Sequence, residues 1–148
     1  MLNIQRIKLI RLSLSIETCK TLVQALVISH LDYANTTLAG LPSYLIHRFQ
    51  KVQNIAAKLV LNKKKFDSST DCMKELHWLP IRARIEFKVL MLVYKCWQNK
   101  APLYLRSLIK DKKSRRVGLR SDKDNLLLEV PRTIKKTYAS RSFSVCGP

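Results

Sequence analysis

Glycine is scarce in this chain, acid is scarce relative to base, and no cysteine has a close neighbour of its kind. Gly40, Gly118 and Gly147 stand too far apart to build a phosphate-cradling loop of local spacing, so no nucleotide-binding loop is readable. The ten acidic residues are scattered, and no two are adjacent. Polymerases, nucleases and glycosidases need clustered carboxylates to hold metal ions or to divide acid and base roles. The spacing of Asp32, Asp67, Asp71, Asp111, Asp122 and Asp124 points to no such pair. Cys19, Cys72, Cys96 and Cys146 lie 53, 24 and 50 residues apart, which is neither a disulfide framework nor the close pairs of a zinc site. A reducing compartment, nucleus or cytoplasm, is the simpler setting. Cys72 and His77 would supply half a zinc site at most, and a buried thiol with a histidine packed at a helix end is the better account of them. No metal or other cofactor is expected. Long apolar runs are also missing: TLVQALVISHL at 21–31 is short and interrupted by Gln24, Ser29 and His30, so no membrane partner is expected.

What the chain has in excess is positive charge. Its 148 residues are one domain's length and suffice to bury roughly 68–70% of the unfolded surface. The net charge of +18 is distributed as +5 over residues 1–60, +5 over 61–100 and +8 over 101–148. Such a balance predicts attraction to polyanions, nucleic acid ahead of an anionic membrane surface or an acidic protein. MLNIQRIKLIRLSLSIE has no acid before Glu17, as in a mitochondrial transit peptide, but its apolar pattern runs on into the following segment as a folded domain's would.

A helical period dominates the first two thirds. In a helix over 17–38, Leu22, Leu26 and Tyr33 share one face, while Val23, Val27, Ile28 and Leu31 fill much of the rest; AGLPS then stops it, with Ser43 as the next cap. Over 44–61 the apolar stripe is Leu45, Phe49, Val52, Ala56 and Leu59, with Arg48, Lys51 and Lys58 off it. Ser69, Thr70 or Asp71 caps a short helix CMKEL. Pro80 opens a helix whose core stripe is Ile81, Ile85, Val89, Leu92, Val93 and Cys96, leaving Arg82, Arg84, Lys88 and Lys95 to face solvent or a partner. PLYLRSLI at 102–109 adds a short helix. VGLRS at 117–121 and LLLEV at 126–130 make a hairpin around SDKDN. The expected fold is mainly α, four to five helices in a small bundle with a short C-terminal β-hairpin. Residues 1–110 form the helical domain, and 111–148 a basic loop with the hairpin in a truncated C-terminal segment.

Three groups of bases are candidates for phosphate contact: Arg48, Lys51 and Lys58; Lys63, Lys64 and Lys65 with Arg82, Arg84 and Lys88; and Lys112, Lys113, Arg115 and Arg116. Bases neutralising phosphates release counterions without reading sequence, and exposed aromatics stack on unpaired bases. Trp78 and Trp97 are either stacking platforms or core residues. A solvated face accounts for each basic group alone; their sum favours binding.

Several blocks in order carry more information than composition does: LVQALVISHLDY, LAGLP, QKVQNIAAKLV, ELHWLPIRARIEFKVLMLVYK, APLYL, LRS, LLLEVPRT and RSFSVCGP. Together they resemble the region downstream of the polymerase domain in non-LTR, LINE-like retrotransposon reverse transcriptases of the chicken-repeat-like or jockey-like kind. The resemblance covers nearly the whole chain. It implies a fragment, since the family carries its endonuclease and polymerase domains upstream and its pattern continues past SFSVCGP. The family's paired-aspartate signature is missing, so none of its catalytic residues maps here and no enzyme activity is expected of this chain. The resemblance implies a thumb-like or connecting helical element that grips RNA or the primer–template duplex, partnered by the upstream polymerase domain. On that reading SHLDY and HWLPIRAR are packing motifs, with His30, Asp32 and Tyr33 fixing a helix junction. Two other readings stay open: a protein-interaction module whose apolar face packed on the polymerase domain, and a retrotransposon remnant without function.

Overall fold

The computed structural model describes residues 2–111, 128–132 and 141–147. Helix α1 (Leu2–Ile10) turns Ile4 and Ile7, one turn apart, into the core. After a single 3-10 turn at Arg11–Ser13, Ser15 caps α2 (Ile16–Val23), its hydroxyl accepting from the Thr18 N–H at 3.2 Å. Helix α2 passes through a π-helical turn at Gln24–Ile28 into α3 (Ser29–Asp32). The wider turn lets consecutive Val27 and Ile28 both be buried, in line with Cys19 and Val23. The face expected from Leu22, Leu26 and Tyr33 is not the core face: Leu26 and Tyr33 are exposed. Nor does the helix reach residue 38; Ala34 takes a left-handed conformation (φ 49°) and a 3-10 turn follows at Asn35–Leu38.

Helix α4 (Ser43–Val60) packs on α2 and on α5 (Ser69–Glu75). Its buried residues are Gln53, Ala56, Ala57 and Val60, with Val52 and Leu59 partly buried against them. The stripe is thus rotated from the expected one, because two adjacent alanines let neighbouring helices approach and a glutamine takes a core position. Ser43 is the first residue inside α4, not its cap, and Ser68 rather than Ser69, Thr70 or Asp71 caps α5 through the Asp71 N–H. Trp78 closes this core.

The chain's internal contacts define two compact units, Met1–Ile85 and Glu86–Pro148, the division falling within α6 (Ile81–Trp97). Ile81, Ile85, Val89 and Cys96 of its expected stripe are buried; Leu92 and Val93 are half-buried. In the second unit α7 (Leu103–Arg106) follows, Leu128 forms an isolated antiparallel bridge with Asp111, and α8 (Phe143–Cys146) leads to Gly147. A Cβ on Gly147 would meet the Phe143 carbonyl at 2.7 Å, so no side chain fits there. The described residues are mainly helical and hold no strand beyond that bridge. The other expected arm of the hairpin, 117–121, and its turn lie outside them.

With glycine so scarce, three helices stop on other residues in the left-handed conformation. At the ends of α4, α5 and α6, Asn62 (φ 52°), His77 (φ 56°) and Asn99 (φ 60°) occupy that position. In each case the next residue's N–H reaches back five residues: Lys63 to Lys58 at 2.9 Å, Trp78 to Met73 at 2.8 Å and Lys100 to Lys95 at 2.9 Å. These are Schellman ends, which glycine ordinarily fills. Histidine carries the steric cost of its Cβ there without asparagine's local hydrogen bonding. Replacing His77 by Gly should therefore raise stability by about 1 kcal/mol, and His77→Val should lower it; urea denaturation of both variants checks the pair.

Candidate nucleic-acid interface

The polar chemistry of the first unit divides into groups spent on the fold and groups left at its surface. Arg11, which belonged to none of the expected basic groups, is buried. Its Nε donates to the Leu59 carbonyl at 2.8 Å, its Nη2 to the Val60 carbonyl at 2.8 Å and its Nη1 to the Leu14 carbonyl at 2.9 Å. It thereby caps the C-terminus of α4, where carbonyls lack helical partners and the dipole favours a cation.

A second network joins three of the quoted blocks. Arg84 pairs with Asp32 at 2.7 Å and donates through Nε to the Leu79 carbonyl at 3.0 Å. The same carbonyl accepts from Gln53 Nε2 at 2.8 Å; Gln53 Oε1 accepts from Gln50 Nε2 at 3.0 Å, and Gln50 Oε1 accepts from the Ile81 N–H at 2.9 Å. Asp32 thus fixes a helix junction through Arg84, and the HWLP turn is pinned by side chains from α4 and α6. Arg84 does not face solvent as expected but is held by this network. Among the described residues no group of three or more His, Cys, Asp and Glu side chains converges. Burial pushes the Cys19 and Cys96 thiols up, with Arg11 and Arg106 respectively opposing it more weakly, and neither thiol has the electropositive, accessible setting that makes a thiolate.

Of the remaining bases of the first unit, Arg48, Lys51 and Lys58 lie along one edge of α4. Tyr44, Arg48, Lys51, Ile55 and Lys58 recur at steps of four, three, four and three, so they form one stripe, about 21 Å long at 1.5 Å per residue. Tyr44, Arg48, Lys51 and Ile55 are exposed. Lys58 is half-buried and donates to the Lys65 carbonyl at 2.8 Å, anchoring the loop that carries exposed Lys63, Lys64 and Lys65. The Schellman end at Asn62 aims the chain into that loop. Of the other expected residues, Arg82 is exposed and Lys88 half-buried, both engaged within the chain. Lys112, Lys113, Arg115 and Arg116 lie outside the described residues. Trp78 is core, whereas Trp97 is 53% exposed and tilted against Tyr94, with ring centroids 6.3 Å apart.

No family model, no curated protein and no solved structure matches this chain.

Two features set the α4 stripe and the loop after it apart. No acid stands between Asp32 and Asp67, so the whole of α4 and the start of the following loop carry base alone. Phe66, directly after the three lysines, is 92% exposed, the most exposed large apolar side chain among the described residues. No helix among them is long and apolar enough to cross a membrane.

Proposed function

We propose that this chain is a non-catalytic nucleic-acid-binding module, the post-polymerase element of a LINE-like reverse transcriptase, gripping RNA or a primer–template duplex through a basic surface. The observation that carries the binding role is the stripe of Arg48 and Lys51 on α4 leading into Lys63–Lys65 with no acid in between. Charges aligned on one helix face follow a phosphate backbone, and release of its counterions makes affinity fall with salt. The origin rests on the resemblance of the quoted blocks; the meeting of SHLDY, QKVQN and HWLPIRAR at one polar junction suits their role as packing motifs.

The test is a salt titration of binding to duplex DNA and to RNA of equal length, with wild type and the Arg48→Glu/Lys51→Glu double variant. Two lost phosphate contacts should reduce the slope of log K against log salt by about 2, and affinity near 0.1 M salt about 10- to 100-fold. The melting temperature should hold, because both side chains are exposed. An unchanged slope would refute the assignment of the stripe. It would also favour the second reading, an interaction module, for which exposed Leu9, Ile10, Leu12 and Ile16 around the end of α1 offer an apolar surface.

A further inference from the structure

The loop after α4 is built more firmly than a solvated charge run requires. Its entry is set by the Schellman end at Asn62 and Lys63. Its middle is tied down by the Lys58 ammonium on the Lys65 carbonyl at 2.8 Å. Residues 64–67 form a turn closed on both sides: the Asp67 N–H donates to the Lys64 carbonyl at 3.2 Å, and the Lys64 N–H donates to Asp67 Oδ2 at 2.6 Å. This frame holds Phe66 92% exposed, with Lys65 Nζ 5.9 Å from the ring centroid.

A phenyl ring in water gains nothing for the fold, since transfer out of water is what stabilises apolar surface. An exposed ring with one ammonium beside it and two more exposed lysines just before it in the chain matches one ligand chemistry closely: an unpaired nucleobase stacked on the ring, with its neighbouring phosphates on the lysines. In an intact duplex the base faces are already stacked on one another, so the ring has nothing to receive. We propose that Lys63, Lys64, Lys65 and Phe66 form a subsite for single-stranded nucleic acid, Phe66 supplying the stacking platform. This rests on the nucleic-acid reading of the α4 stripe and adds the strandedness of the ligand. The lysines give polyanion attraction to any strand, whereas the ring discriminates single strand from duplex.

The experiment compares wild type, Phe66→Ala, Phe66→Trp and Lys64→Glu on a single-stranded RNA, a single-stranded DNA and a blunt duplex of equal length. Phe66→Ala should weaken single-strand binding about 5- to 100-fold, leave duplex affinity unchanged, and leave the salt slope unchanged because no charge is removed. Phe66→Trp should retain single-strand affinity and add a tryptophan emission that single strands quench and duplex does not, read as the difference from wild type. Lys64→Glu should reduce the single-strand salt slope by about 0.7. Equal affinities of wild type and Phe66→Ala for single strands would overturn the subsite while leaving the α4 reading intact. The absence of salt-dependent binding by wild type to every ligand would overturn both. Loss of binding by Phe66→Ala to vesicles rich in anionic lipid, with single-strand affinity unchanged, would reassign the ring to a membrane surface and overturn the proposal.

Discussion

Replacing Arg11 by Met should cost about 3 kcal/mol of stability, more than its place in a basic, apparently solvent-facing N-terminal run would suggest. Arg11 is 8% exposed, and its guanidinium makes three hydrogen bonds to carbonyls, of which the one to Val60 is buried. Methionine preserves much of the packing of the stem, so the loss comes from the polar end. Hydrogen bonds to a charged donor contribute about 1.5–3 kcal/mol, and a buried carbonyl left unpaired costs about 1–3 kcal/mol. The cation's interaction with the C-terminal dipole of α4 adds about 0.3–1 kcal/mol. These contributions overlap and the variant can admit water at Leu14 and Leu59, which keeps the total near the lower end of their range. Arg11→Lys should fall between, because one ammonium places charge at the helix end but cannot span Leu14, Leu59 and Val60 as a planar fork does. Urea denaturation followed by helical circular dichroism measures both; a loss under about 0.5 kcal/mol for Arg11→Met, the range of ordinary surface substitutions, would show that the cap contributes little.

Arg11 also shows what was legible in the sequence and what was not. Helix α6 was readable because Ile81, Ile85, Val89 and Cys96 repeat at helical spacing behind a proline, and each is buried. The start of α4 followed from Pro42 and its length from the apolar period. What periodicity cannot show is a polar side chain that belongs to the core. Arg11, Gln53 and Asn35 are all buried, and each looks like surface to a pattern of apolar and polar residues. Gln53 sits on the buried face of α4, so the apolar period through Leu45, Phe49, Val52, Ala56 and Leu59 runs to one side of that face. The π-helical turn misled in the same way: inserting extra backbone into α2 changes which residues share a face, so Leu26 and Tyr33 went to solvent. Among the candidate binding residues, Arg48 and Lys51 remain on an exposed stripe, whereas Arg84 is claimed by Asp32 across 52 positions of sequence, a pairing no local window contains. Phe66 shows the converse, since an apolar residue reads as core by composition and only the turn around it turns it to solvent.

Gln53 is where the polar core can be tested directly. Gln53→Met keeps nearly the same volume and removes both hydrogen bonds, the 2.8 Å donation to the Leu79 carbonyl and the acceptance from Gln50 at 3.0 Å. The expected loss is about 2 kcal/mol. It is held below the cost of a fully orphaned pair because Leu79 still accepts from Arg84, and Gln50 still donates to Asn54 at 2.9 Å. A methionine at Gln50 should remove the acceptor for the Ile81 N–H, one of the donors that a helix start leaves without an intrahelical partner, and so loosen the start of α6. If the two glutamines act as one relay, the Gln50→Met/Gln53→Met double variant should lose less than the sum of the single losses, by about 0.5 kcal/mol or more, since each single change already breaks their shared bond. Strict additivity would mean that they hold Leu79 and Ile81 independently. Hydrogen exchange adds a local readout: the Ile81 amide should lose protection in Gln50→Met more than in Gln53→Met, because only Gln50 bonds to it. No loss at that amide in either variant would show that α6 is held by its apolar stripe alone, with the glutamines serving only to fill a polar gap in the core.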